Sequence, residues 1–325
     1  MPLDSYGRDI HYLRISLTDK CNMRCVYCMT EDMVFQPNAA LLTAAEIRRL
    51  VQIFARVGVD KIRLTGGEPT VHPDLLAIVR DIRAAGITRI SMTTNGLRLA
   101  ELAVPLRQAG LERVNVSVDT LDPERFHRVT RWGHLDKVLD GVYAAEAAGL
   151  TPVKINAVIA RGFNEQDIAD LARLTLSHPW QVRFIEMMPF GAVAEFAQNA
   201  TISQAEIMRR IEEGVGALHP IAEGRLDGEA RLYQLEGAQA ALGFISTLTN
   251  PFCASCSRVR LTADGHLRLC LLRDDEGDVL TPLRRGATDD ELEQLIRSLI
   301  WRKPWGHSLP DGLIPLERVM SQIGG

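Results

Sequence analysis

The sequence predicts an α/β protein: a partial (β/α)6 barrel of the TIM type, with a C-terminal region that covers the open side of the barrel. Between Tyr12 and about Trp180, short β-branched runs alternate with amphipathic stretches, as strand–helix units around a parallel sheet do. Six such runs are present, whereas a closed barrel of this type needs eight strands. This alternation of strand-like and helix-like segments ends at about Thr201, so we expect two regions, residues 1–200 and 201–325.

Each predicted strand is followed by polar residues or by Gly, Pro or Asn, which begin the connection to the next helix. The six strands are Tyr12–Leu17, Lys61–Thr65, Arg89–Thr93, Arg113–Val118, Val153–Ile159 and Val182–Met187. In the C-terminal region, Asp264-Gly265 predicts a hairpin turn between Val259–Leu261 and Leu267–Leu269. That hairpin would bring Cys270 back towards Cys256.

Two of the connecting helices have clear start signals. Thr43 and Glu46 form a capping box that opens a helix reaching about Val57, and Asp122-Pro123-Glu124 supplies a cap, a first-turn proline and a first-turn acid for another. Glycine commonly ends helices because it adopts a left-handed backbone conformation without strain. The glycines that stand at predicted helix ends are Gly86, Gly110 and Gly149.

The composition is that of an ordinary globular protein. The chain has 325 residues, 46% of them hydrophobic and 24% charged, with a formal net charge of -4 and a pI of about 6.1. These values argue against general nucleic-acid binding. Charged residues lie within the N-terminal segment and no apolar run approaches the ~18 residues of a membrane span, so we expect neither an export signal nor a membrane anchor. We therefore expect a reducing cytoplasm, where thiols stay free to bind metal.

The six cysteines fall into two sets of three. The first cysteine set, C-x3-C-x2-C, is Cys21, Cys25 and Cys28, and the second cysteine set, C-x2-C-x13-C, is Cys253, Cys256 and Cys270. Structural zinc normally takes four protein ligands and disulfides use cysteines in pairs, whereas an iron–sulfur cluster held by three thiolates leaves one iron free for a small molecule. The pattern predicts two such clusters. A structural zinc protein or binding module is the alternative from another class.

The surroundings of the first cysteine set resemble the signature of radical S-adenosylmethionine (SAM) enzymes. Tyr27 lies between two of the cysteines, Gly66-Gly67-Glu68-Pro69 follows the second predicted strand, and Ser117 lies in the fourth. The resemblance implies a [4Fe-4S] cluster on the first cysteine set, whose fourth iron is chelated by SAM. It also implies that SAM is cleaved to a 5′-deoxyadenosyl radical, which takes hydrogen from a substrate held close by.

The second cysteine set carries a more specific resemblance. Arg258 and Arg260 place two guanidinium groups on one face of a predicted strand, which on an isolated strand is usually a solvated edge but beside three thiolates is typical of an anion clamp. Cys-x2-Cys-Ser-Arg-Val-Arg-Leu followed by Cys270, together with Lys303-Pro304 and a terminal Gly324-Gly325, resembles the GTP 3′,8-cyclases of molybdenum cofactor biosynthesis almost from end to end.

This resemblance implies a reaction in which the adenosyl radical removes the ribose 3′ hydrogen of GTP and the resulting carbon radical attacks C8 of guanine. The product would be (8S)-3′,8-cyclo-7,8-dihydroguanosine 5′-triphosphate. It further implies that a second [4Fe-4S] cluster, held by the second cysteine set, binds the guanine ring. The diglycine tail would reach into the active site, where the absence of side chains lets the backbone pass between ligands.

The resemblance assigns roles to individual residues. Residues at catalytic positions are Arg14, Arg258, Arg260, Gly324 and Gly325. Those expected to contact SAM are Tyr27, Gly67, Ser117 and Met188. Those expected to bind GTP are Arg14, Arg63, Thr94, Lys154, Arg258, Val259 and Arg260.

Partners are implied by the same resemblance. We expect GTP as substrate, an electron donor such as flavodoxin or ferredoxin, and cyclic pyranopterin monophosphate synthase as the downstream enzyme. A homodimer is compatible with the family, and no nucleic acid or membrane is expected. The alternative within enzymes is a radical SAM enzyme whose auxiliary cluster serves the modification of a peptide.

Overall fold

The structure, a computed structural model, describes residues 2–189, 191, 194–221, 226–309 and 314–324. The strands within these residues are β1 (Tyr12–Ser16), β2 (Lys61–Thr65), β3 (Arg89–Thr94), β4 (Arg113–Ser117), β5 (Lys154–Ile159), β6 (Gln181–Glu186), β7 (Leu218–Pro220), β8 (Leu226–Asp227), β9 (Ala230–Leu235), β10 (Leu242–Ile245), β11 (Arg258–Leu261), β12 (His266–Arg268) and β13 (Glu276–Asp278). The helices are α1 (Ala44–Val57), α2 (Leu75–Ala84), α3 (Leu99–Ala109), α4 (Pro123–Thr130), α5 (Leu135–Ala147), α6 (Ile168–Ser177), α7 (Ala194–Ala200), α8 (Gln204–Gly214), α9 (Leu280–Arg284), α10 (Asp289–Trp301) and α11 (Met320–Ile323).

All described strands belong to one sheet with the order β13-β12-β11-β1-β2-β3-β4-β5-β6-β10-β9-β7, in which β8 pairs with β9. Strands β1 to β6 are neighbours in chain order, and every pair among them is parallel. Within the described residues the two end strands of this path do not pair with each other. The predicted six-unit partial barrel is therefore confirmed, and its six strands agree with the predicted ones to within two residues at each end.

The helix signals act as predicted. The Thr43 side chain accepts a hydrogen bond from the Glu46 N–H and the Glu46 carboxylate accepts from the Thr43 N–H, which completes the capping box of α1. Asp122 caps α4 by accepting from the Arg125 N–H. Gly110 ends α3 with φ 113°, in the left-handed region that glycine tolerates.

The two faces of the barrel strands differ in chemistry. On β1, Leu13 and Ile15 are fully buried in the main core between sheet and helices, whereas Arg14 points into the barrel. The same alternation recurs on β2, where Ile62 and Leu64 pack in the core and Arg63 faces inward. A closed TIM barrel fills its interior with branched apolar side chains. Here the interior face is polar, which leaves room for a charged ligand.

The C-terminal region extends the same sheet at both edges. Strand β11 pairs in parallel with β1, and β10 pairs in parallel with β6. The predicted hairpin is present, because β11 and β12 are antiparallel with Leu261 opposite Leu267. The division into residues 1–200 and 201–325 stays a prediction, since strands from both regions are hydrogen-bonded in one sheet.

The gap between the two extended edges is bridged by the turn between β8 and β9. Glu229 in this turn forms ion pairs with Arg14 on β1 and with Arg258 on β11, at 2.8 Å for Arg258. The Arg258 guanidinium also approaches the Gly228 carbonyl at 3.5 Å. A segment of the C-terminal region thus covers the open side. None of the helices in the described part of the chain combines the length and apolar character that crossing a bilayer requires.

Candidate active site

A large cavity lies inside the partial barrel and extends beyond the C-terminal ends of its strands. Its walls include residues from each of β1 to β6, from the loops that follow β1 and β2, and from the C-terminal region. This is the end of a parallel barrel at which enzymes place their chemistry. The cavity therefore joins residues that are more than 200 positions apart in the sequence, such as Cys28 and Arg258.

The first cysteine set lies in the loop after β1, and all three of its residues line the cavity as free cysteines. The loop is compact: the Cys25 carbonyl accepts from the Cys28 N–H at 2.9 Å, and the Arg24 guanidinium donates to the Cys21 carbonyl at 2.9 Å. Burial raises the pKa of the Cys21 thiol to about 11, and burial together with the nearby Cys21 raises the pKa of the Cys28 thiol to about 12. Binding of a metal would favour the thiolate form of these cysteines, because thiolates are the metal ligands.

The turn after β2 is packed directly on this cysteine loop. The Gly67 N–H donates to the Thr18 carbonyl at 2.6 Å, and the Glu68 N–H donates to the Lys20 carbonyl at 2.8 Å. A Cβ atom on Gly67 would collide with backbone atoms, at 2.6 Å from the Asp19 carbonyl oxygen. Glycine is therefore required here by the close approach of two backbones, in addition to the contact with SAM that the family resemblance implies.

Glu68 is the hub of this turn. Its buried carboxylate accepts hydrogen bonds from the Thr70 hydroxyl at 2.6 Å, the Thr94 hydroxyl at 2.7 Å and the Asn95 N–H at 2.7 Å. Thr94, predicted as a GTP ligand, lines the cavity with its hydroxyl committed to Glu68. In the sequence Glu68 is marked only as part of the Gly66-Gly67-Glu68-Pro69 turn; in the structure it joins the ends of β2 and β3.

The predicted SAM residues form the wall beside the first cysteine set. Tyr27, Gly67, Ser117 and Met188 all line the cavity. The Tyr27 hydroxyl donates to Asp119 at 2.6 Å, and the Val158 N–H donates to the other oxygen of that carboxylate at 2.8 Å. Burial raises the pKa of Asp119 to about 6 despite these two donors. Asp119, which the sequence analysis did not single out, fixes the ring of Tyr27 against β5.

The second cysteine set lies beside the cavity, around the start of β11. Its cysteines are free, and their chain neighbours Phe252, Arg258 and Leu271 line the cavity. Arg8 anchors the loop, because its guanidinium donates to the Cys253 carbonyl at 2.8 Å and to the Trp305 carbonyl at 2.7 Å. Because β1 and β11 are parallel, the first set after the end of β1 and the second set around the start of β11 lie towards opposite ends of these strands.

The electrostatics of the second set differ from those of the first. Burial acts to raise the pKa of the Cys256 thiol, but the positive charges of Lys303 and Arg258 outweigh it and leave that pKa below its usual value. In the described residues, no group of three or more His, Cys, Asp or Glu side chains is arranged to hold a single metal ion. The preference for iron–sulfur clusters over structural zinc rests on the division of the six cysteines into two sets of three.

The foot of the barrel is a strongly basic recess. It is lined by Lys61, Arg63, Ser91, Arg113, Lys154, Arg183, Gly228 and Glu229. Arg63 and Lys154 were predicted as GTP ligands, whereas Lys61, Arg113 and Arg183 were missed. Positive charge is thus concentrated here although the chain as a whole carries -4.

Tyr12 forms the base on which these cations pack. The Lys61 ammonium lies 4.4 Å from the centroid of its ring, and the guanidinium carbons of Arg14, Arg63 and Arg258 lie 5.7, 5.6 and 5.9 Å from it. The negative face of an aromatic ring stabilises desolvated cations. Burial would raise the pKa of the Tyr12 phenol, but the charges of Arg63 and Arg14 hold it below its usual value.

Three arginines connect the basic foot to the second cysteine set. Arg14 on β1 stands in register with Arg63 on β2 and with Arg260 on β11. Arg14 and Arg258 pair with Glu229, while Arg260 donates to the Gly324 carbonyl and, at 3.3 Å, to the Ile323 carbonyl. Burial opposes ionisation of Glu229, but the charges of Arg258, Arg14 and Arg63 hold its pKa well below the usual range.

Several buried polar atoms in the cavity wall have no hydrogen-bond partner. They are both amide atoms of Asn115, Oδ1 of Asn156, and Nε of Arg14 and Arg258. An unsatisfied buried polar group costs about 1–3 kcal/mol, so a folded protein rarely keeps several without a reason. Their presence on one surface indicates a ligand rich in hydrogen-bonding groups, as a nucleotide is.

The C-terminal tail is fastened close to this surface. Arg318 donates to Glu276 at 2.6 Å and to Asp264 at 3.0 Å, and both carboxylates lie on or beside the β11–β13 strands. Six residues later, Gly324 has φ 72° and stands against Thr65 and Ser16, where a Cβ would lie 3.2 Å from the Ser16 Cβ. Gly325, predicted to be catalytic, lies outside the described residues.

Most of the other predicted residues share the cavity. Arg14, Arg63, Arg258 and Arg260 line it, and Lys154 lines its basic foot. Val259 does not: its side chain packs in the main hydrophobic core, because alternate residues of β11 face opposite sides of the sheet. Only the backbone of Val259 is available to a ligand.

Glu186 is a further residue that the sequence analysis missed. At the end of β6 its carboxylate accepts from the N–H groups of Gln204, Leu248 and Thr249 at 3.2, 3.0 and 3.1 Å. Glu186 thereby fixes the segment that leads to Cys253 onto the barrel. A single glutamate at a strand end gives no sequence signal for such a role.

Comparison with known proteins covers both regions of the chain. Residues 15–175 match the Radical SAM superfamily, and residues 180–309 match Molybdenum Cofactor Synthesis C. Proteins named GTP 3′,8-cyclase from Heliobacterium modesticaldum, Moorella thermoacetica and Paracoccus denitrificans are 45%, 44% and 43% identical to it. Each alignment covers 99% of this chain and, in that order, 100%, 99% and 95% of the relative.

Solved structures share the fold at much lower identity. Streptococcus suis SuiB bound to S-adenosylmethionine superposes with a TM-score of 0.58 at 16% identity, covering 89% of this chain and 68% of SuiB. A radical SAM methyltransferase from Sphaerobacter thermophilus gives 0.52 at 20% identity, covering 78% of this chain and 69% of that one. These likenesses confirm the fold. Because relatives of more than 40% identity align from end to end and both regions match their families, the chain belongs to the GTP 3′,8-cyclases, radical SAM enzymes of molybdenum cofactor biosynthesis.

Proposed function

We propose that the cavity converts GTP to (8S)-3′,8-cyclo-7,8-dihydroguanosine 5′-triphosphate, with its two cysteine-bearing walls in separate roles. Membership of the family makes the chain a radical SAM lyase with GTP as substrate and two [4Fe-4S] clusters as cofactors. The assignment of roles is supported by the position of the two cysteine sets towards opposite ends of the parallel strands β1 and β11, beside one cavity with a basic foot.

The first wall would hold the radical-generating group. Cys21, Cys25 and Cys28 would ligate a cluster, and Tyr27 with Ser117 would flank the bound SAM. When bound, these groups supply a 5′-deoxyadenosyl radical that takes a hydrogen atom from the substrate. The chain's own contribution is to orient and enclose: Glu68 holds the turn after β2, and Asp119 holds Tyr27 at 2.6 Å.

The opposite wall and the foot would hold GTP. Cys253, Cys256 and Cys270 would ligate the cluster that receives the guanine ring, and the triphosphate would extend into the recess of Lys61, Arg63, Arg113, Lys154 and Arg183. A triphosphate carries several negative charges, and convergent guanidinium groups bind such an anion far better than single exposed pairs do. This orientation places the ribose at the middle of the barrel, level with Asn115 and Asn156.

Arg14 and Arg258, which pair with Glu229 beside the foot, would contact the phosphate end of GTP, and Arg260 would contact the substrate next to the tail. Their guanidinium groups are buried, so the hydrogen bonds and charge that they offer are not weakened by bulk water. Arg260 also holds the tail through the carbonyls of Ile323 and Gly324. We propose that the tail and these arginines together keep the substrate ribose in place and exclude water from the reacting atoms.

The partners remain proposals that rest on the family resemblance. The reaction needs one-electron reduction of the first cluster, for which flavodoxin or ferredoxin is the expected donor. Cyclic pyranopterin monophosphate synthase is the expected consumer of the product, and a homodimer is one assembly compatible with the family. The peptide-modifying alternative is not favoured, because full-length relatives are named GTP 3′,8-cyclase and the foot of the cavity is basic.

The test is an anaerobic incubation of the cluster-loaded protein with GTP, SAM and a strong reductant, in which 5′-deoxyadenosine and cyclised nucleotide are measured together. We expect both products in comparable amounts, and about eight irons per chain by metal analysis. Cluster-loaded protein that forms 5′-deoxyadenosine without any cyclised nucleotide would overturn the proposal. ATP in place of GTP serves as the control, because only guanine offers the expected base to the second wall.

A further inference from the structure

Glu229 sets a carboxylate inside the cation cluster of the nucleotide site. It is 4% exposed and borders both the main cavity and its basic foot. Three other acids line the cavity, and each binds backbone N–H or hydroxyl donors of the protein: Glu68, Asp119 and Glu186. Glu229 differs from them, because its recorded ion-pair partners are Arg14 and Arg258, two of the residues assigned to GTP.

The pairing leaves the two arginines incompletely satisfied. One oxygen of Glu229, Oε1, accepts a hydrogen bond from Arg14 and lies 2.8 Å from Nη1 of Arg258 in an ion pair, and the Nε atoms of Arg14 and Arg258 are buried without a hydrogen-bond partner. A guanidinium group offers five donors in a planar fork, and a phosphate group offers more acceptor oxygens than a carboxylate does. The surface between the two arginines is therefore built for an oxyanion with more acceptors than Glu229 provides.

Glu229 and its two arginine partners lie on different parts of the sheet. Glu229 belongs to the turn between β8 and β9, whereas its partners lie on β1 and β11 at the other edge of the opening. The contact is thus a bridge between two parts of the sheet that are not hydrogen-bonded strand to strand. A side chain on a turn can withdraw with less disturbance of the fold than one on a central strand.

We infer that Glu229 is an internal counter-ion that occupies the oxyanion position between Arg14 and Arg258 in the nucleotide-free protein and is exchanged for a phosphate group of the substrate. This inference rests on the proposed function, because it takes GTP to be the ligand of these arginines. It makes Glu229 a determinant of affinity: the carboxylate neutralises buried cations before substrate arrives and competes with the phosphates when it does.

A purely structural role for Glu229 predicts the opposite effect on the affinity for GTP. If Glu229 served only to hold the two guanidinium groups in place for GTP, neutralising it would let them separate and would weaken binding. If it is a competitor, neutralising it frees both arginines and removes a negative charge next to the triphosphate, so binding becomes tighter. Glu229→Gln keeps the shape of the side chain while removing its charge, and therefore separates the two cases.

The experiment measures binding of GTP, GDP, GMP and guanosine to the cluster-loaded protein by anaerobic equilibrium dialysis, without SAM or reductant, so that no turnover occurs. Glu236→Gln is the matched control, because Glu236 follows the other end of β9, is exposed and does not border the cavity. We expect Glu229→Gln to bind GTP about tenfold more tightly than wild type, with a gain that shrinks from GTP to GMP and disappears for guanosine. We expect Glu236→Gln to leave all four affinities unchanged.

A second variant guards against misfolding. Glu229→Asp keeps the charge, so we expect affinities close to those of wild type, whereas a protein damaged at this turn would lose affinity in both variants. Equal or weaker binding of GTP by Glu229→Gln, with wild type binding normally, overturns this inference alone. A wild-type protein with intact clusters that binds none of the guanine nucleotides overturns the proposed function as well.

Discussion

Replacing Gly324 by alanine tests whether the seated tail is part of the active site. Gly324 has φ 72°, and a Cβ there would collide with the Thr65 hydroxyl and lie 3.2 Å from the Ser16 Cβ. The Thr65 hydroxyl cannot easily move away, because it donates to the Ile15 carbonyl at 3.2 Å inside the sheet. The tail therefore has to shift, and with it the Gly324 carbonyl that accepts from Arg260.

The magnitude follows from two contributions. An alanine in the left-handed region costs about 1–2 kcal/mol relative to glycine. A lost hydrogen bond from a charged donor adds about 1.5–3 kcal/mol. A bias of about 2.5–5 kcal/mol against the seated tail lowers its population at least tenfold, since 1.4 kcal/mol corresponds to a factor of ten. The free energy of unfolding should hardly change, because the last residues can lift away without disturbing the core.

Gly237→Ala is the matched control. Gly237 has φ 74° in the connection between β9 and β10, and a Cβ there would meet no atom within 4 Å. The two variants thus share the backbone strain of about 1–2 kcal/mol, and only Gly324→Ala adds the collision. In Gly237→Ala the strain is held within the fold, so its free energy of unfolding in denaturant should fall by about 1 kcal/mol while cyclisation continues at the wild-type rate.

The assay counts cyclised nucleotide and 5′-deoxyadenosine under anaerobic turnover, alongside equilibrium unfolding of both variants. We expect cyclisation by Gly324→Ala to fall at least tenfold with an unchanged unfolding curve, and Gly237→Ala to show the reverse. Wild-type cyclisation by Gly324→Ala would refute the role of the tail. An equal loss in both variants would refute the steric reasoning and point to backbone strain alone.

Three further predictions concern the clamp, the cavity wall and the second cysteine set. Arg318→Met removes the ion pairs to Asp264 and Glu276, so carboxypeptidase should release the C-terminal residues faster, and cyclisation should fall while GTP binding is kept. The control is Arg209→Met, which replaces an exposed arginine paired with Glu213. Equal sensitivity of the two variants to the protease would contradict the role of Arg318 as a clamp. Asn115→Leu replaces two amide atoms that have no hydrogen-bond partner, so the free energy of unfolding of the ligand-free protein should stay the same or rise by up to about 1–2 kcal/mol. The affinity for GTP or SAM should fall. Unchanged affinity for both ligands would show that Asn115 does not belong to the site. Cys256→Ser should lower the iron content from about eight to about four per chain and abolish cyclisation, while SAM binding is preserved. Two zinc ions and no sulfide in the wild-type protein would instead support the alternative of a structural zinc protein.

The fold was predictable because its signals are local and repeated. The β-branched runs fix β1 to β6 to within two residues, and the capping box at Thr43 and Glu46 fixes the start of α1. The cysteine spacings were equally informative, since three thiolates and an open iron form a pattern that few other sites share. The Asp264-Gly265 turn gave the hairpin that brings Cys270 back beside the β11 strand.

Residues that act across the barrel were not predictable in the same way. Alternate residues of a strand face the same side of the sheet, so Lys61 lies on the inward face together with Arg63. Arg183 lies opposite the inward-facing Asn156 of the neighbouring strand. Both could therefore have been assigned to the inward face by counting alternate residues. Glu229 and Glu186 gave no such signal. Each is a single acid at a turn or strand end, and its importance comes from arginines or backbone N–H groups that only the folded chain brings to it.

The continuous sheet explains why one chain can keep two reactive centres in register. Strand β1 carries the first cysteine set at its end and pairs in parallel with β11, which begins two residues after Cys256. Both cysteine sets are therefore anchored to neighbouring strands of one sheet, the first after the end of β1 and the second around the start of β11, and not to separate domains that must find a relative orientation. Arg14 and Arg260 occupy the same register on those strands, so a shift of β11 by one residue would turn Arg258 and Arg260 into the apolar core and Val259 into the cavity. The burial of Val259 in the core therefore specifies the position of the arginines, and the stability of the fold and the geometry of the substrate site depend on the same strand pairing.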